Sequence, residues 1–323
     1  MCNSFFNRNN FDENWSFMKN TNNPLEKRKT TIGGQALIEG LMMIGPDKKA
    51  MAVRNPEGEI VLEYLEAPHT SKVDKIPFVR GPVRLFNQLV LGTKALTHSA
   101  EIAEPEEEKA NDSNAALYVS VIVSVLFSVL LFMIIPGAIV DLIRSLAGIV
   151  ANTKGISLLL TLFEGLIRVL IFILYLWLVS RMDDIKRVWQ YHGSEHKTIA
   201  CYEAKMPLTV ENIKTFSRFH PRCGTSFMFL VMIVSIIVLA FIGWRSRLIN
   251  FVIRLLLLPI IAGITYEIIR IVGKYDNPVT RAISKPGLAM QRLTTAEPDD
   301  SMIEVAIVAM NAVLPDIEGS DEW

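Results

Sequence analysis

Four long apolar stretches interrupt the otherwise mixed pattern of hydrophobic and polar positions along the chain. Each is long enough to cross roughly 30 Å of hydrocarbon at about 1.5 Å of helical rise per residue. Buried helices of a soluble protein rarely run this long without a polar face. The pattern therefore predicts a polytopic α-helical membrane protein with four transmembrane helices. The predicted spans are residues 115–135, 156–179, 226–244 and 248–272.

Lysine and arginine are distributed unevenly among the segments that connect these spans. Segment 180–225, between the second and third spans, is much richer in them than the loops on the other side. Cytoplasmic loops of membrane proteins carry an excess of these residues. We therefore expect segment 180–225 to be cytoplasmic and, since the number of spans is even, both termini to be cytoplasmic as well. The predicted location is the cell (cytoplasmic) membrane, crossed several times.

The polar segment 31–100 predicts a small sheet followed by a helix. An apolar run at 35–43 follows two glycines, and runs at 50–54 and 60–64 flank the turn sequence NPEG. This arrangement favours an antiparallel sheet. After Pro82, apolar residues recur at helical spacing, which predicts an amphipathic helix on the sheet or at the membrane surface.

The C-terminal segment 273–323 predicts a helix with Asp299, Asp300 or Ser301 as its N-cap and with a broad apolar face. The N-terminal sheet is the obvious surface to cover that face. We therefore expect a small cytoplasmic α+β domain, built from both ends of the chain and segment 180–225. The other predicted boundaries are 1–30 for a disordered extension, 101–114 for an acidic linker, 115–179 for spans one and two, and 226–272 for spans three and four.

Composition and charge support a membrane location and exclude one class of partner. Hydrophobic residues make up 50% of the chain, and the mean hydropathy is positive, so the lipid bilayer is the expected partner. The formal net charge is zero. No nucleic acid partner is expected, because phosphate binding needs an uncompensated basic surface. Three cysteines are too few for a disulfide framework and suit a reducing compartment.

The segment between spans two and three carries the first candidate chemistry. His192 and His196 are four residues apart, so on a helix both imidazoles can point at one metal ion. Glu195 lies beside this line, an offset that suits a catalytic base acting on water, as in H-x-x-E-H metallopeptidases. Glu203 comes close to three helical turns after His192 and is a further candidate ligand.

A second cluster immediately precedes the third span. His220 and Cys223 offer N and S donors three residues apart, which zinc favours, and Arg222 could stabilise an oxyanion. An isolated H-x-x-E-H spacing is a weak signal, because a single histidine at a helix end is usually a cap or a hydrogen-bonding group. However, three of the five histidines and two of the three cysteines lie between residues 192 and 223. This concentration predicts a bound divalent metal, with zinc the best match to the donors.

Ionisable residues also occur inside the predicted spans. Glu164 and Arg168 are four residues apart and can pair within the second helix, and a neutralised structural link explains them at least as well as a function. Glu267 lies near the cytoplasmic end of the fourth span. It approaches the membrane face that carries the histidines, so it is a candidate ligand or hydrogen-bond partner for His192 or His196.

Together, four blocks of sequence resemble the signature blocks of the bacterial YqhQ-like family. They are residues 33–43 (GGQALIEGLMM), 191–199 (YHGSEHKTI), 220–226 (HPRCGTS) and 286–288 (PGL) with Gln291, Thr294 and Thr295. The family consists of uncharacterised membrane proteins described as predicted metal-dependent enzymes. The resemblance implies a bacterial inner-membrane location and a metal, but no substrate. It also draws attention to Gln35 and Glu39, for which a supporting role and plain sheet hydrogen bonding are both open.

Three functions follow as hypotheses. The first is a membrane-bound zinc hydrolase that acts on a membrane-associated peptide or lipid, with Glu195 as base. The second is a non-enzymatic scaffold or assembly factor in which a closed, structural metal site ties the central segment together. The third is a transporter lined by Glu164, Arg168 and Arg254. Four spans could build such a pathway in a homo-oligomer. This hypothesis ranks last, because the spans lack paired Gly/Pro breaks.

Overall fold

The computed structural model describes residues 29–66, 76–105, 114–149, 153–243, 247–275, 277–317 and 319–322. The predicted N-terminal extension, apart from its last two residues, lies outside these ranges, as does much of the acidic linker. Within them the fold is mostly helical, with one small sheet.

The sheet has four antiparallel strands in the order of the sequence. The apolar run 35–43 is divided between two strands, because Leu37 pairs with Gly40 across a tight turn. Glu39 in this turn has a left-handed backbone, with φ of 49°. The NPEG sequence forms the predicted turn between the third and fourth strands. The strands are β1 (Gly33–Leu37), β2 (Gly40–Ile44), β3 (Lys49–Arg54) and β4 (Ile60–Leu65).

Three helices cover the two faces of the sheet. One face packs on α5 (Asp183–Glu203) and α10 (Asp300–Val313) through a core that includes Leu41 of β2 and Met310 of α10. The other face packs on α1 (Arg80–Ala103) through Ala95. Asp299 is the N-cap of α10, as predicted, and its side chain accepts a hydrogen bond from the Met302 N–H at 3.0 Å. The sheet is therefore the middle layer that joins the two ends of the chain.

Among the described residues, four helices are long and apolar enough to cross a membrane, which confirms four candidate spans. They are Val119–Leu146, Lys154–Val179, Gly224–Ile242 and Leu248–Lys274. The first extends beyond the predicted end at residue 135, because a π-helical turn joins two helices into one rod. Large apolar side chains on all four helices are exposed, as expected for surfaces that face lipid. The corresponding elements are α2 (Asn114–Val129), the π turn (Leu130–Ile134), α3 (Ile135–Leu146), α4 (Lys154–Val179), α7 (Gly224–Ile242) and α8 (Arg247–Lys274).

The hydrophobic pattern did not predict one helix that turns out to matter for the site. This is α9 (Pro278–Thr294), which comes directly after α8 in the chain. A separate short helix, α6 (Val210–Lys214), lies between α5 and α7. Asn277 begins α9 with a capping box, and Pro286 lies inside it. Its basic residues and internal proline obscure the apolar pattern. The helix packs along the start of α7, where Gly287 lies against Ser226.

Candidate metal centre

Helix α5 places three of the predicted residues on one face. His192, Glu195 and His196 are separated by three and four positions, so their side chains lie on neighbouring turns. All three are buried. The helix begins with Asp183 and Asp184, which stabilise its positive N-terminal end.

Cys223 reaches the same place from the opposite direction. It is the N-cap of α7, and its Sγ lies 3.4 Å from the Thr225 N–H. The distance from Cys223 Sγ to His192 Nε2 is 3.1 Å. The ligand atoms of His192, His196 and Cys223 all lie within 4.8 Å of one another. We call these three residues, together with Glu195, the His/Cys centre.

Backbone carbonyls fix the orientation of both imidazoles. His192 Nδ1 donates to the Thr294 carbonyl at 2.7 Å, and His196 Nδ1 donates to the Arg218 carbonyl at 2.6 Å. Because a carbonyl can only accept, each Nδ1 carries a hydrogen, so in the neutral ring the lone pair is on Nε2. His196 Nε2 is buried and has no hydrogen-bond partner within the described part of the chain. Metal-binding histidines show this same arrangement of one fixed nitrogen and one free nitrogen.

Electrostatics favour the ionised thiol that a metal requires. Burial raises the pKa of the Cys223 thiol, but His192 and His196 outweigh it and hold that pKa well below its ordinary value. Burial likewise lowers the pKa of His192, but the adjacent Cys223 raises it to about 9. Without a metal ion, this pair is therefore a thiolate and an imidazolium. A thiolate and two imidazole nitrogens form a donor set that suits zinc.

Glu195 occupies the remaining side of the centre, against the edge of the sheet. It accepts a hydrogen bond from the Gly34 backbone, and burial raises the pKa of its carboxyl group. A Cβ atom on Gly34 would lie 3.0 Å from Glu195 Cδ and 2.6 Å from the Met42 carbonyl oxygen. Gly34 thus leaves the space that Glu195 occupies, a role that the sequence pattern alone did not reveal.

His220 lies beside the centre rather than within it. Its ring centroid is 5.7 Å from that of His196, and its Nε2 is 3.6 Å from a carboxylate oxygen of Glu203. Gln291 of α9 holds its backbone on both sides, accepting from the His220 N–H at 2.8 Å and donating to its carbonyl at 2.7 Å. His220 therefore stands next to the three-residue group, as a neighbouring polar residue.

Glu203 and Arg222 are brought together, but with each other. Arg222 forms an ion pair with Glu203 and donates to the Thr30 carbonyl at 2.9 Å, while Glu203 accepts from the Thr30 N–H at 2.9 Å. Burial raises the pKa of Glu203, but His220 and Arg222 prevail and lower it to about 2. Glu203 and Arg222 thus pair with each other and with the Thr30 backbone, while the roles of Glu203 as a ligand and of Arg222 at an oxyanion stay predictions.

The other predicted residues lie away from the centre. Glu267 accepts from Arg80 Nε at 2.7 Å and from the Phe78 N–H at 3.2 Å, because its face of α8 meets α1 and not α5. The described contacts of Glu267 are therefore with α1, and its predicted contact with His192 or His196 is not among them. Gln35 points to the opposite face of the sheet, with its Nε2 3.5 Å from the Gly92 carbonyl. Glu39 forms an ion pair with Arg187 at 2.5 Å and braces α5 against the β1–β2 turn.

Reasoning from residue chemistry missed the contribution of α9 and the loop that follows it. Thr294 supplies the carbonyl for His192, and Gln291 fixes His220. The Ala296 N–H donates to the Trp189 carbonyl at 2.8 Å, and Gly193 is bare where the Ala296 carbonyl approaches α5. The available signal was the fourth block of the family resemblance, which contains Gln291 and Thr294.

Comparison with known proteins identifies the family of the chain but adds no activity. The model of the family described as "Protein of unknown function (DUF1385)" matches residues 76–316. The protein named "Uncharacterized protein YqhQ" from Bacillus subtilis (strain 168) is 35% identical over 298 residues, which cover 87% of this chain and 92% of that protein. No solved structure matches the chain. The chain therefore belongs to the uncharacterised DUF1385 family, with the Bacillus subtilis protein YqhQ as a relative.

Proposed function

We propose that this protein is a membrane-embedded, metal-dependent hydrolase that holds one divalent ion, most simply Zn²⁺, between α5 and α7. One observation carries the proposal: both imidazoles are fixed through Nδ1 by backbone carbonyls, which leaves their Nε2 atoms and the Cys223 thiolate converging on one point. The buried Nε2 of His196, which has no hydrogen-bond partner among the described residues, fits a metal ligand. Zinc in catalytic sites takes three protein ligands and keeps a fourth position open, and it supplies Lewis acidity there.

The residues of the centre have distinct roles in the proposed hydrolase. His192, His196 and Cys223 would hold the ion. Glu195 would take a proton from an attacking water, a role that suits a buried carboxyl group whose pKa is raised. Arg222, bound to Glu203, would brace the segment that carries Cys223.

A membrane-associated substrate follows from the position of the centre. The C-terminal end of α4 leads directly into α5, and Cys223 caps the start of α7. The third candidate span therefore begins directly beside the His/Cys centre. A peptide or lipid anchored in the bilayer could reach it with little displacement, on the side we expect to be cytoplasmic.

A closed structural site in a scaffold is the second candidate, and a specific observation favours it. His192, Glu195, His196 and Cys223 are all less than a tenth exposed. A metal ion sealed from solvent on all sides would tie α5 to α7 without doing chemistry. The two candidates differ in what Glu195 does.

Metal analysis of the purified, full-length protein tests the proposal. We expect one divalent ion per chain in the wild type, and its loss in His196→Ala and Cys223→Ser. After cobalt substitution, the wild type should show a sulfur-to-cobalt charge-transfer band that Cys223→Ser lacks. Wild-type protein without stoichiometric metal would overturn the proposal.

The conservative variant Glu195→Gln separates enzyme from scaffold. It should keep the metal and the cobalt spectrum but lose hydrolysis of a membrane lipid and peptide extract, followed by mass spectrometry of the products. Arg187→Gln is a matched control on the same helix, since Arg187 pairs with Glu39 outside the centre. Equal product profiles for the wild type and Glu195→Gln would favour the scaffold.

A further inference from the structure

The short segment before α1 makes a backbone-to-backbone contact with α8. Gly263 of α8 lies against the Phe78 carbonyl oxygen, in the place a Cβ atom would fill. A Cβ atom on Gly81 would lie 2.7 Å from Tyr266 Cβ. Phe78 has a left-handed backbone with φ of 64°, which a bulky residue adopts only when its surroundings impose it. The start of α1 is therefore firmly seated on α8.

The depth of this contact along α8 places it inside the hydrophobic layer. The candidate span begins at Leu248. Roughly 30 Å of hydrocarbon takes about 20 residues at 1.5 Å each, so the layer would end near Glu267. Gly263 and Phe78, which packs on it, then lie within the hydrophobic layer. At its boundary, Glu267 and Arg80 neutralise each other at 2.5 Å.

The outer face of the segment is apolar where it meets this layer. The buried residues of α1, including Gly81 and Ala95, lie toward α8 and the sheet. On the opposite face, Phe86 is 66% exposed and Leu89 60% exposed, and Phe78 before the helix is 58% exposed. Large apolar side chains exposed in a cluster indicate a partner surface. The other members of this cluster are Ile76, Val79 and Val90.

We propose that residues 76–90 are embedded in the bilayer leaflet next to the His/Cys centre and that lipid acyl chains cover their outer face. The inference rests on the membrane insertion proposed above. The occupant is lipid, because the segment packs on Gly263 of α8 and the same helix exposes large apolar side chains such as Leu256 and Ile260. This segment is an in-plane anchor that supplements the four spans.

The anchor has a consequence for the centre. The same helix continues under the sheet, where Ala95 packs with Leu37, Met42 and Met51. The opposite face of that sheet carries Gly34 against Glu195. Helix α1 thus connects the proposed anchor to the sheet on which Glu195 rests.

Spin-label accessibility in liposomes tests the anchor on the full-length chain. Nitroxide labels at Phe86→Cys and Lys94→Cys, in a Cys2→Ser background, report collisions with oxygen, which partitions into lipid, and with a water-soluble nickel chelate. Phe86 is on the apolar face, and Lys94 is an exposed position of the same helix. We expect the label at position 86 to collide with oxygen and to lose collisions with nickel. The label at position 94 should collide with nickel.

A third label at Leu126→Cys, on the exposed surface of α2, distinguishes a failure of the anchor from a failure of membrane insertion. If position 126 faces lipid and position 86 collides with nickel, the anchor is overturned while membrane insertion stands. If position 126 also collides with nickel, membrane insertion itself fails. A label at position 86 shielded from both reagents, with dipolar broadening that depends on protein concentration, would show a second copy of the chain on this face and would also overturn the proposal.

Discussion

The His/Cys centre and the ion-pair cluster between α4 and α8 both bury ionisable side chains. They differ in the kind of hydrogen-bonding group that is left unpaired among the described residues. In the centre, the unpaired group is an acceptor, because His196 Nε2 has no partner among the described residues. In the second cluster, formed by Glu164, Arg168 and Arg254, two guanidinium groups share one carboxylate. The unpaired acceptor of the centre attracts a cation, whereas the excess of guanidinium groups in the second cluster repels one.

The second cluster is built as a link between helices. Glu164 is 1% exposed, and its two oxygens accept from Arg168, at 2.7 Å, and from Arg254. Arg168 also donates to the Phe132 carbonyl at 2.9 Å, within the π turn of the first apolar rod. Among the described residues, the buried Nε of Arg254 has no partner, so the surplus is a donor. A cation pathway through these helices would meet net positive charge, which argues against a cation transporter.

Ionisable residues at helical spacing therefore do not identify a binding site by themselves. Both clusters stand out in the sequence, since both place ionisable residues at helical spacing. They differ in which atoms remain unpaired after folding. That difference depends on partners from distant parts of the chain.

Removing the shared carboxylate should have the largest effect on stability. Glu164→Gln leaves two buried guanidinium groups uncompensated, which costs about 3–5 kcal/mol. Thermal denaturation in detergent should show a correspondingly large loss. Glu304→Gln is the matched control, because Glu304 pairs with Arg54 at 3.3 Å but is exposed, and it should change stability by less than about 1 kcal/mol. Equal, small effects of the two substitutions would show that the cluster does not hold the helices together.

Removing the metal should have the next largest effect on stability. This effect should depend on the His/Cys centre and not on the cluster of Glu164, Arg168 and Arg254. An ion present at about 100 times its dissociation constant stabilises the folded state by roughly 2.7 kcal/mol. A chelator should therefore lower the denaturation temperature of the wild type and, by the same amount, of Glu164→Gln, since no described hydrogen bond or ion pair joins the two clusters. Cys223→Ser should show no shift with the chelator. A chelator shift in Cys223→Ser equal to that of the wild type would contradict a metal at this centre.

Local patterns predicted the elements, and long-range packing decided the contacts. The four apolar helices and the antiparallel sheet follow from periodicity and turn residues, and the spacing of His192 and His196 follows from the helical repeat. The position of Glu267 could not be predicted in this way. Its distance from the histidines depends on which side of α8 meets α1, and nothing near Glu267 in the sequence encodes that.

The same limit explains the residues around the centre. His220 and Cys223 are neighbours in sequence, but Gln291 turns one away from the three-residue group while the N-cap geometry of α7 turns the other inward. The carbonyls that orient the imidazoles belong to Thr294 and Arg218, and a backbone carbonyl leaves no mark on residue type. Sequence chemistry could find the donors of the centre but not what aims them.

The smallest predicted effect concerns a histidine outside both clusters. His98 Nε2 lies 2.8 Å from Glu63 and its Nδ1 lies 3.1 Å from Glu101, so the protonated ring joins α1 to β4. Hydrogen bonds to Glu101 and Glu63 raise its pKa. Because the folded pKa lies above the unfolded value of about 6.5, the stabilisation is fully present below that pH and is lost as pH rises through the folded pKa.

His98→Gln should therefore destabilise the protein at low pH and have no effect at high pH. The side chain is 43% exposed, so solvent screening limits the effect to about 0.2–1 kcal/mol. Denaturation temperatures of the wild type and His98→Gln, measured at pH 5.5 and pH 9, check this directly. The chelator shift should have the opposite pH dependence, because protons compete with the metal for His192, His196 and Cys223 as pH falls. A His98→Gln effect that grows with pH would mean that the ring acts in its neutral form and that His98 is not an ion-pair partner of Glu63 and Glu101.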